Sequence, residues 1–382
     1  MLKPLQSKME PLKAKLEALL EALEPLKHKI EMRFERTRLQ LAKINIPDVP
    51  IPEVVKSRAF RRVATILASF IFTVVFITLT VQYTNAGLLI PKVISGIMPK
   101  FPTCVDMNHK GTPELWEKSQ KKYEKLMDNK FTIAMQTYRR PKELENTLNI
   151  LLGEDIPSLE EIVIVWNDLE NAPPENYVSK RGVPVRYRKS KHNSLNEKFL
   201  PDPEYKTQAI LLSDDDVYYH PSDLEFVFQT WRKFGRNRIT GAVARCSPVD
   251  MYGYHQYDIC SNRKGEDEYS MILTNLAFSH ISFLDYYHSN DTTMNQLRTY
   301  VDEGLNCEDI AFNFVQSLLT GEGPLLVNGH QKYANFIPRE GISRKTGHME
   351  AKTECLNDFS KIMGCHPLHA ESAYIQRGVI VT

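Results

Sequence analysis

The chain has 382 residues, 42% of them apolar, and its 48 lysines and arginines nearly balance its 47 acidic residues. This composition is ordinary for a globular protein with enough chain for a large core. Because the two signs of charge cancel, nothing in the composition indicates a nucleic-acid partner.

An amphipathic segment lies near the N-terminal end. Between Leu12 and Ile30, leucine and isoleucine recur at three- and four-residue steps among lysine and glutamate, which predicts a helix with one apolar stripe. Such a helix would form a short coiled coil or lie on a membrane surface. Pro25 interrupts any long coil, so a partly helical solvated tail is the alternative. A proline-punctuated link follows at residues 46–52.

A charge-free run at residues 63–81 predicts a transmembrane helix. Its nineteen residues span roughly 28 Å at ~1.5 Å per residue, about one hydrocarbon core. The run lies too far along the chain for a secretory signal peptide and has no convincing cleavage motif, so we expect it to remain as an anchor. Buried core helices, the alternative, are usually shorter and interrupted by polar residues.

The charges that flank this run predict its orientation. No charge follows the run before Lys92, and four cations precede it: Lys56, Arg58, Arg61 and Arg62. The positive-inside rule therefore places residues 1–62 in the cytosol. We predict a single-pass type II protein of the Golgi or ER membrane, with an irregular stem at residues 82–128 and a lumenal catalytic domain at residues 129–382.

All six cysteines follow the predicted anchor, where a lumenal environment permits disulfides. Their spacing matches no zinc-binding pattern, and spacing alone does not fix how they pair. Asn290 begins the one Asn-x-Ser/Thr sequence that we find, so it is a candidate glycosylation site in the lumen.

From residue 129 onward, short apolar strands alternate with amphipathic helices, which is typical of an α/β domain. We predict strands at residues 131–136, 161–166, 209–213, 239–245 and 269–275, and helices at residues 142–152, 222–234 and 307–319. A capping box formed by Ser222 and Glu225 is expected to open the second helix. Gly321 is expected to end the third.

Three consecutive aspartates, Asp214, Asp215 and Asp216, directly follow the apolar strand at residues 209–213. In open α/β sheets, ligands bind where the strands end, and carboxylate oxygens are suited to Mg²⁺ or Mn²⁺. A cation held there would bridge to the diphosphate of a nucleotide sugar and neutralise its leaving charge. A solvated acidic turn is the alternative, since aspartate is common in turns.

Polar side chains also follow the first two predicted strands. Gln136 and Arg140 come after the first, and Asn167 with Asp168 after the second. If these strands are parallel, the groups converge on one edge of the sheet, as a nucleotide site requires. Arg140 suits a phosphate because its guanidinium donates in a plane. Taken singly, each could be a turn residue or a surface contact.

A second pair of acids, Glu308 and Asp309, lies in the first turn of the helix predicted at residues 307–319. Acids at a helix start are often only partners of the helix dipole. The functional interpretation is that Asp309 faces the anomeric carbon of a bound sugar.

Six motifs in this order resemble the catalytic domain of the exostosin-like glycosyltransferases, glycosyltransferase family 64. They are Gln136-Thr-Tyr-Arg-Arg140, Val163-Ile-Val-Trp-Asn167, Asn193-Ser-Leu-Asn196, Ser213-Asp-Asp-Asp216, Tyr269-Ser-Met-Ile-Leu273 and Asn306-Cys-Glu-Asp-Ile-Ala-Phe-Asn-Phe314. The resemblance covers about residues 130–370, and the tail, anchor and stem lie outside it.

The resemblance implies a GT-A fold, with a mixed central sheet and helices on both faces, and a metal-dependent retaining transfer from a nucleotide sugar. It implies a catalytic carboxylate at Asp309, an Mn²⁺ (or Mg²⁺) ligand at Asp216, and a disulfide between Cys307 and Cys355. The implied nucleotide-sugar-binding residues are Gln136, Arg140, Asn167, Asn193, Lys198, Asp214, Asp215, Glu308 and Lys352.

Three positions depart from the family pattern. Lys198 and Lys352 stand where arginines are usual, and Glu308 stands where many members have aspartate. Lysine keeps the charge but loses the planar two-pronged donation, so the donor stays open between a UDP-N-acetylhexosamine, which we favour slightly, and GDP-mannose or another hexose donor. A glycan, a glycoprotein or a sphingolipid head group could accept the sugar, and a homodimer is compatible with the sequence. A lumenal glycan-binding protein without turnover is the alternative class.

Overall fold

The computed structural model describes residues 99–104, 112–260, 268–336 and 346–378. The chain divides into two units, Met1–Pro91 and Lys92–Thr382, and every described residue belongs to the second. The amphipathic tail and the predicted anchor at residues 63–81 lie outside the described residues. Within the described part, no helix is long and apolar enough to span a bilayer.

A nine-stranded mixed sheet organises the described residues, in the order β13-β11-β7-β10-β5-β1-β2-β4-β3. Its central strands β1, β2, β4 and β5 run parallel, while β10 is antiparallel to both of its neighbours. The strands of this sheet are β1 (Met127–Thr137), β2 (Leu159–Trp166), β3 (Tyr177–Val178), β4 (Pro184–Lys189), β5 (Thr207–Asp214), β7 (Thr240–Gly241), β10 (Leu276–His280), β11 (Leu325–Asn328) and β13 (Tyr374–Gln376). Two short ribbons pair β6 (Val217–Tyr218) with β12 (Ala334–Asn335) and β8 (Ala244–Arg245) with β9 (Met271–Ile272).

Helices pack on both sides of the sheet and form two apolar clusters. The cluster on one side includes side chains of α1, α4, α5, α6 and α7, and the other includes those of α2 and α3. The helices are α1 (Thr112–Lys122), α2 (Pro141–Leu151), α3 (Pro221–Thr230), α4 (Ile281–Tyr287), α5 (Thr292–Gly304), α6 (Glu308–Thr320) and α7 (His348–Met363), with a 3₁₀ helix at Leu195–Phe199 and a π helix at Trp231–Gly235. The mixed α/β architecture predicted from the sequence is therefore confirmed.

The central strands form where the sequence is almost continuously apolar, because helices cover both faces there. Residues 131–135 of β1, 162–165 of β2 and 209–212 of β5 are fully or almost fully buried. Strands β1, β2 and β5 and helices α2 and α6 occupy the predicted positions within one to four residues. As predicted, Gly321 ends α6, and its φ of +66° is a left-handed conformation that glycine adopts without strain.

Several local predictions were wrong. The strands predicted at residues 239–245 and 269–275 form only the two-residue strands β7, β8 and β9. The predicted irregular stem contains helix α1, whose Trp116 is buried and stacks on Phe283 with the ring centroids 4.6 Å apart. The capping box at residues 222–225 does not form, because α3 already begins at Pro221. Glu225 instead accepts hydrogen bonds from the backbone and side chain of Ser158, a contact across 67 residues that no local motif indicates.

Several histidines are buried and neutral, and His280 is the simplest case. Its Nδ1 accepts a hydrogen bond from the Ser282 N–H at the start of α4. Burial, with a smaller contribution from Arg236, lowers the pKa of His280 to about 3. The folded chain therefore leaves this ring uncharged at pH values where the unfolded chain protonates it.

A pH-dependent stability difference follows for His280→Asn, which keeps a capping side chain. The folded pKa of His280 lies below the unfolded value, so its contribution to stability is complete above about pH 6.5 and is lost as the pH falls towards the folded pKa. Below about pH 6.5, the difference in free energy of unfolding between wild type and variant should decrease by about 1.4 kcal/mol per pH unit. Urea titrations from pH 7.5 to 5 measure it. The exposed His192→Asn serves as the control, and a gap for His280→Asn that does not change with pH contradicts the prediction.

Candidate functional site

The ends of three parallel strands converge at one edge of the sheet. In the register of the sheet, Gln136 of β1 lies opposite Asp214 of β5 on one side and Val165 of β2 on the other. The polar residues that follow these strands are therefore level with one another, as expected from the sequence. This edge carries the first part of the candidate site.

The acidic triplet at this edge is bound to two cations and a hydroxyl. Nη1 of Arg140 donates to Asp215 Oδ1 at 3.1 Å and to Asp216 Oδ2 at 2.9 Å. Nζ of Lys198 donates to Asp214 Oδ1 at 2.7 Å. The second oxygen of Asp215 accepts a hydrogen bond from Thr137 Oγ1 at 2.6 Å, a residue that the sequence did not single out. The three aspartates thus have different environments.

The triplet carries more negative charge than its partners compensate. Three carboxylates face two cations, and burial together with Asp214 and Asp215 raises the pKa of Asp216 to about 7. Burial also raises the pKa of Asp215 to about 6, against the lowering effects of Thr137 and Arg140. A raised carboxyl pKa means that the ionised form lacks stabilising neighbours. A divalent cation would supply that missing positive charge.

The donor set fits a cation that is shared with a substrate. Among the described residues, no three His, Cys, Asp or Glu side chains are grouped so that they could hold a metal ion by themselves. Ions such as Mg²⁺ are commonly held by only one or two carboxylates, with substrate phosphates and water completing the shell. Asp214 and Asp216 keep 38% and 13% of their side chains exposed, so two carboxylates of the triplet remain accessible.

Two amide side chains fix the loop that leads into the 3₁₀ helix. Gln136 Nε2 and Asn167 Nδ2 each donate to the Ser194 carbonyl oxygen at 2.8 Å. Asn196 is buried and donates to Asp302 Oδ1 at 2.8 Å. Both Gln136 and Asn167 therefore lie at this edge of the sheet, and their amide N–H groups bind the protein's own backbone. Asn193, the remaining predicted nucleotide contact, is exposed at the start of this loop.

The second acidic pair begins α6, as predicted. Asp309 is 4% exposed, and its Oδ2 accepts a hydrogen bond from Lys352 Nζ at 2.6 Å. Burial alone would raise the pKa of Asp309, but the Lys352 ammonium, together with the Ile310 N–H and Arg245, outweighs burial and holds that pKa below its usual value. Burial would in turn lower the pKa of Lys352, and Asp309 keeps it raised. Asp309 is therefore a buried carboxylate that stays ionised.

The two acidic groups belong to one electrostatic site. Burial, Asp309 and Asp214 raise the pKa of Glu308, while Lys352 and Lys198 oppose that rise. The pKa of Glu308 therefore depends on charges of both the triplet and the start of α6. Asp216, the last residue of the triplet, and Glu308 are 92 residues apart in the sequence. The sequence predicted each group, but only the fold places them side by side.

Residues with unusual backbone conformations lie next to both acidic groups. The residues other than glycine with positive φ among the described residues are Arg139 (56°), Leu305 (44°) and Cys307 (72°). Arg139 directly precedes Arg140, Cys307 directly precedes Glu308, and Leu305 lies three residues before Glu308. Such conformations are unfavourable for side-chain-bearing residues and concentrate at functional sites. Their positions here support a functional interpretation of both clusters.

The sequence did not predict that Tyr257 forms one wall of the site. Tyr257 lies in a hairpin between Cys246 and Cys260, is 7% exposed, and has its ring centroid 5.1 Å from Lys352 Nζ. Burial, with Asp309 adding to it, raises the pKa of this phenol to about 12. The signal that could have drawn attention to the segment was the pair of cysteines fourteen residues apart.

All six cysteines are paired, and one bond links the start of α6 to α7. The bonds join Cys104 to Cys365, Cys246 to Cys260, and Cys307 to Cys355. The third is the bond that the family resemblance implied. It connects the residue before Glu308 to α7, three residues after Lys352. Asn290, the predicted glycosylation site, is exposed just before α5.

Removal of this third bond should weaken the fold measurably. Cys307 and Cys355 are 48 residues apart, and closing a loop of that size is typically worth about 2–4 kcal/mol. We expect the double variant Cys307→Ala/Cys355→Ala to lose that much free energy of unfolding. The pair Cys246→Ala/Cys260→Ala, which closes only 14 residues, is the control and should lose less. Finding Cys307 as a free thiol in a non-reducing peptide map would rule the bond out.

Comparison with known proteins specifies the family of this mixed α/β protein. The glycosyl transferase family 64 domain matches residues 131–378. The chain therefore belongs to glycosyltransferase family 64, whose members include exostosin-like proteins.

Two relatives illustrate the similarity to known proteins. The chain is 30% identical over 242 residues to Exostosin-2 of Homo sapiens, which is 62% of this chain and 33% of that protein. It is 34% identical over 245 residues to Glucosamine inositolphosphorylceramide transferase 1 of Arabidopsis thaliana, again 62% of this chain but 30% of that protein. The chain thus spans about a third of the length of these relatives.

A solved structure, of GalNAc-T7 with UDP, GalNAc and Mn²⁺, covers 49% of this chain and 40% of its own at 11% identity, with a TM-score of 0.34. That likeness is too weak to bear on function.

Proposed function

We propose that this protein is a metal-dependent, retaining glycosyltransferase with the GT-A fold, which transfers a sugar from a nucleotide donor to a glycan or a glycolipid. One observation carries the proposal. A triplet of carboxylates with surplus negative charge lies beside a buried, ionised carboxylate, Asp309, within one site. The first group suits a cation and a diphosphate, and the second suits the positive charge that develops on a transferred sugar.

The nucleotide would bind along the strand ends. Gln136 and Asn167 would act through the loop at residues 193–199, which they hold in place, while Asn193 on that loop is free to contact the base. Asp214 and Asp215 would bind the ribose and the donor sugar. Arg140 orients Asp215 and Asp216, so its guanidinium contributes to the nucleotide site through these carboxylates.

Two lysines would bind the diphosphate. Lys198 and Lys352 are each almost fully buried, and each forms an ion pair with a site carboxylate. A bound diphosphate would offer each ammonium a second anionic partner. Asp216, the carboxylate of the triplet with a raised pKa and an exposed edge, would hold Mn²⁺ or Mg²⁺, which supplies charge neutralisation of the departing diphosphate when bound.

Asp309 would stabilise the sugar during transfer. Its carboxylate is buried and ionised, and such a group stabilises an oxocarbenium-like sugar or briefly bonds to it, as a retaining mechanism requires. Glu308 beside it would contact the donor sugar. Because a low-dielectric site strengthens charge interactions, burial of Asp309 favours this role over that of a helix cap.

The donor we favour is a UDP-N-acetylhexosamine, with GDP-mannose or another hexose donor as the alternative. The relative named for glucosamine and inositolphosphorylceramide supports an amino-sugar donor and a sphingolipid acceptor. The charge pattern around residues 63–81 supports a type II anchor in the Golgi or ER membrane, with the catalytic domain in the lumen.

Donor hydrolysis tests the proposed activity directly. The protein should slowly release the nucleotide from its sugar donor, and only when Mn²⁺ is present. A thermal-shift screen of nucleotide sugars with Mn²⁺ identifies the donor, because a ligand that binds the folded state raises its stability. A glycan-binding protein without turnover would show stabilisation by a glycan and no release of nucleotide, and that result would contradict the proposal.

A further inference from the structure

A disulfide-closed hairpin extends from the site to the protein surface. Between Cys246 and Cys260, residue pairs 246/258 and 249/255 are bridged, and the chain turns at residues 250–253, here called the hairpin tip. One side of the hairpin packs on α7, where the His255 N–H donates to Asn357 Oδ1 at 3.1 Å and the Tyr257 N–H donates to Thr353 Oγ1 at 3.0 Å. The hairpin is thus firmly attached to the helix that bears Lys352.

The tip exposes large apolar side chains on a well-bonded turn. Met251 is 65% and Tyr252 is 76% exposed, and Ile259 lower on the hairpin is 60% exposed. Asp250 Oδ1 accepts hydrogen bonds from the backbone N–H groups of residues 252 and 254, and its Oδ2 accepts one from Gln256. The one acid of the tip is therefore already bonded within the turn. An exposed apolar group of this kind usually marks an interaction surface.

The first described residues that follow the predicted anchor in the sequence contact this hairpin. The Lys100 N–H donates to the Gly253 carbonyl oxygen at 2.7 Å, and Lys100 Nζ lies 4.1 Å from the centroid of the Tyr254 ring. Cys104 then bonds to Cys365. Only 18 peptide units separate residue 81 from residue 99, a reach of at most about 65 Å even when fully extended. The tip therefore contacts the described segment that lies nearest in sequence to the predicted anchor.

We propose that the hairpin tip docks in the interfacial layer of the bilayer that holds the anchor. Tyrosine is favoured there because its ring is apolar and its hydroxyl stays hydrated, and Met251 adds a flexible apolar side chain. Lys100 beside the tip would face the lipid head groups. The inference rests on the proposed membrane anchor. Docking would hold Tyr257 and Lys352 close to the membrane surface, which suits an acceptor that is the head group of a lipid.

Tryptophan fluorescence in the full-length, membrane-inserted protein tests the docking. Met251→Trp is compared with Phe234→Trp in vesicles of phosphatidylcholine with and without bromine on the acyl chains. Phe234 is the matched control, because its exposed fraction of 59% is close to the 65% of Met251 and a lysine, Lys233, lies beside it. The emission of the three native tryptophans is measured in the wild type and subtracted from that of each variant. We expect the emission added at position 251 to be largely quenched by the brominated lipids, and that added at position 234 to be unchanged.

The other outcomes each overturn the inference. Emission at position 251 that brominated lipids do not quench means that the tip stays in water, and equal quenching at both positions means that the tip is not a specific contact. Loss of quenching at position 251 together with a concentration-dependent shift of its emission in detergent indicates a second copy of the chain as the partner. Release of the protein from vesicles by alkaline carbonate would show instead that the anchor itself is absent, a failure that concerns the proposed topology first.

Discussion

Asp309→Asn is expected to lower the rate of sugar transfer by roughly a hundredfold or more while nucleotide and Mn²⁺ affinities stay nearly intact. The amide keeps the shape of the side chain but removes the negative charge that would stabilise the sugar in the transition state. An interaction made mainly in the transition state changes kcat and leaves binding of the ground state almost unaffected. Initial rates and binding calorimetry on the same preparations measure both quantities.

Loss of a buried partner is a separate effect that needs its own control. Asp309→Asn also leaves the Lys352 ammonium without its 2.6 Å counter-ion, and breaking a buried ion pair destabilises proteins. Asp223→Asn is the matched control. Asp223 is fully buried, it forms an ion pair with Arg377 at 2.9 Å, and it is not one of the candidate site residues. Both variants should lose stability, but only Asp309→Asn should lose turnover per folded molecule. Near-normal turnover of Asp309→Asn would leave Asp309 as a helix-cap residue.

Asp216→Asn is expected to weaken Mn²⁺ binding strongly and, through it, the binding of the nucleotide. The diphosphate would lose its bridging cation, and the two remaining carboxylates, Asp214 and Asp215, would be balanced by Lys198 and Arg140. Calorimetric titration of Mn²⁺, with and without the nucleotide, measures the effect. The signature is opposite to that of Asp309→Asn, because binding falls together with turnover.

The two variants check each other. If Asp216→Asn binds Mn²⁺ and nucleotide as the wild type does, Asp216 is not a metal ligand, and the raised pKa of its carboxyl group reflects only crowding by its neighbours. Should excess Mn²⁺ restore turnover to Asp216→Asn but not to Asp309→Asn, the separate roles of cation site and sugar site are supported.

The sequence predicted those parts of the fold that depend on local pattern. Strands β1, β2 and β5 are continuous apolar runs because both of their faces are buried, and such runs are visible without a structure. Helix α6 combines an apolar period with a terminal Gly321, so both its extent and its end were predicted. The order of polar groups after the strands then indicated the edge at which the candidate site lies.

Features that depend on distant partners could not be predicted in this way. Asp223 looks like an ordinary acid in the first turn of α3, yet it accepts hydrogen bonds from the backbone N–H groups of residues 330 and 331 and from Arg377. Helix α1 follows a proline-rich segment and is stabilised by packing of Trp116 on Phe283 rather than by its own propensity. The Lys352–Asp309 pair joins groups 43 residues apart, and nothing local connects them.

The hydrogen bonds to the Ser194 carbonyl oxygen affect how the donor would bind. Two amide groups at the ends of two different strands, Gln136 in β1 and Asn167 just after β2, share this one acceptor, and Asp302 holds Asn196 two residues further on. The loop is therefore already in one conformation before any nucleotide arrives. Its conformational entropy is lost once, when the chain folds, and not again at each binding event. The site should accordingly discriminate between nucleotides by shape, since a base that does not fit cannot remodel this loop without breaking bonds to the sheet.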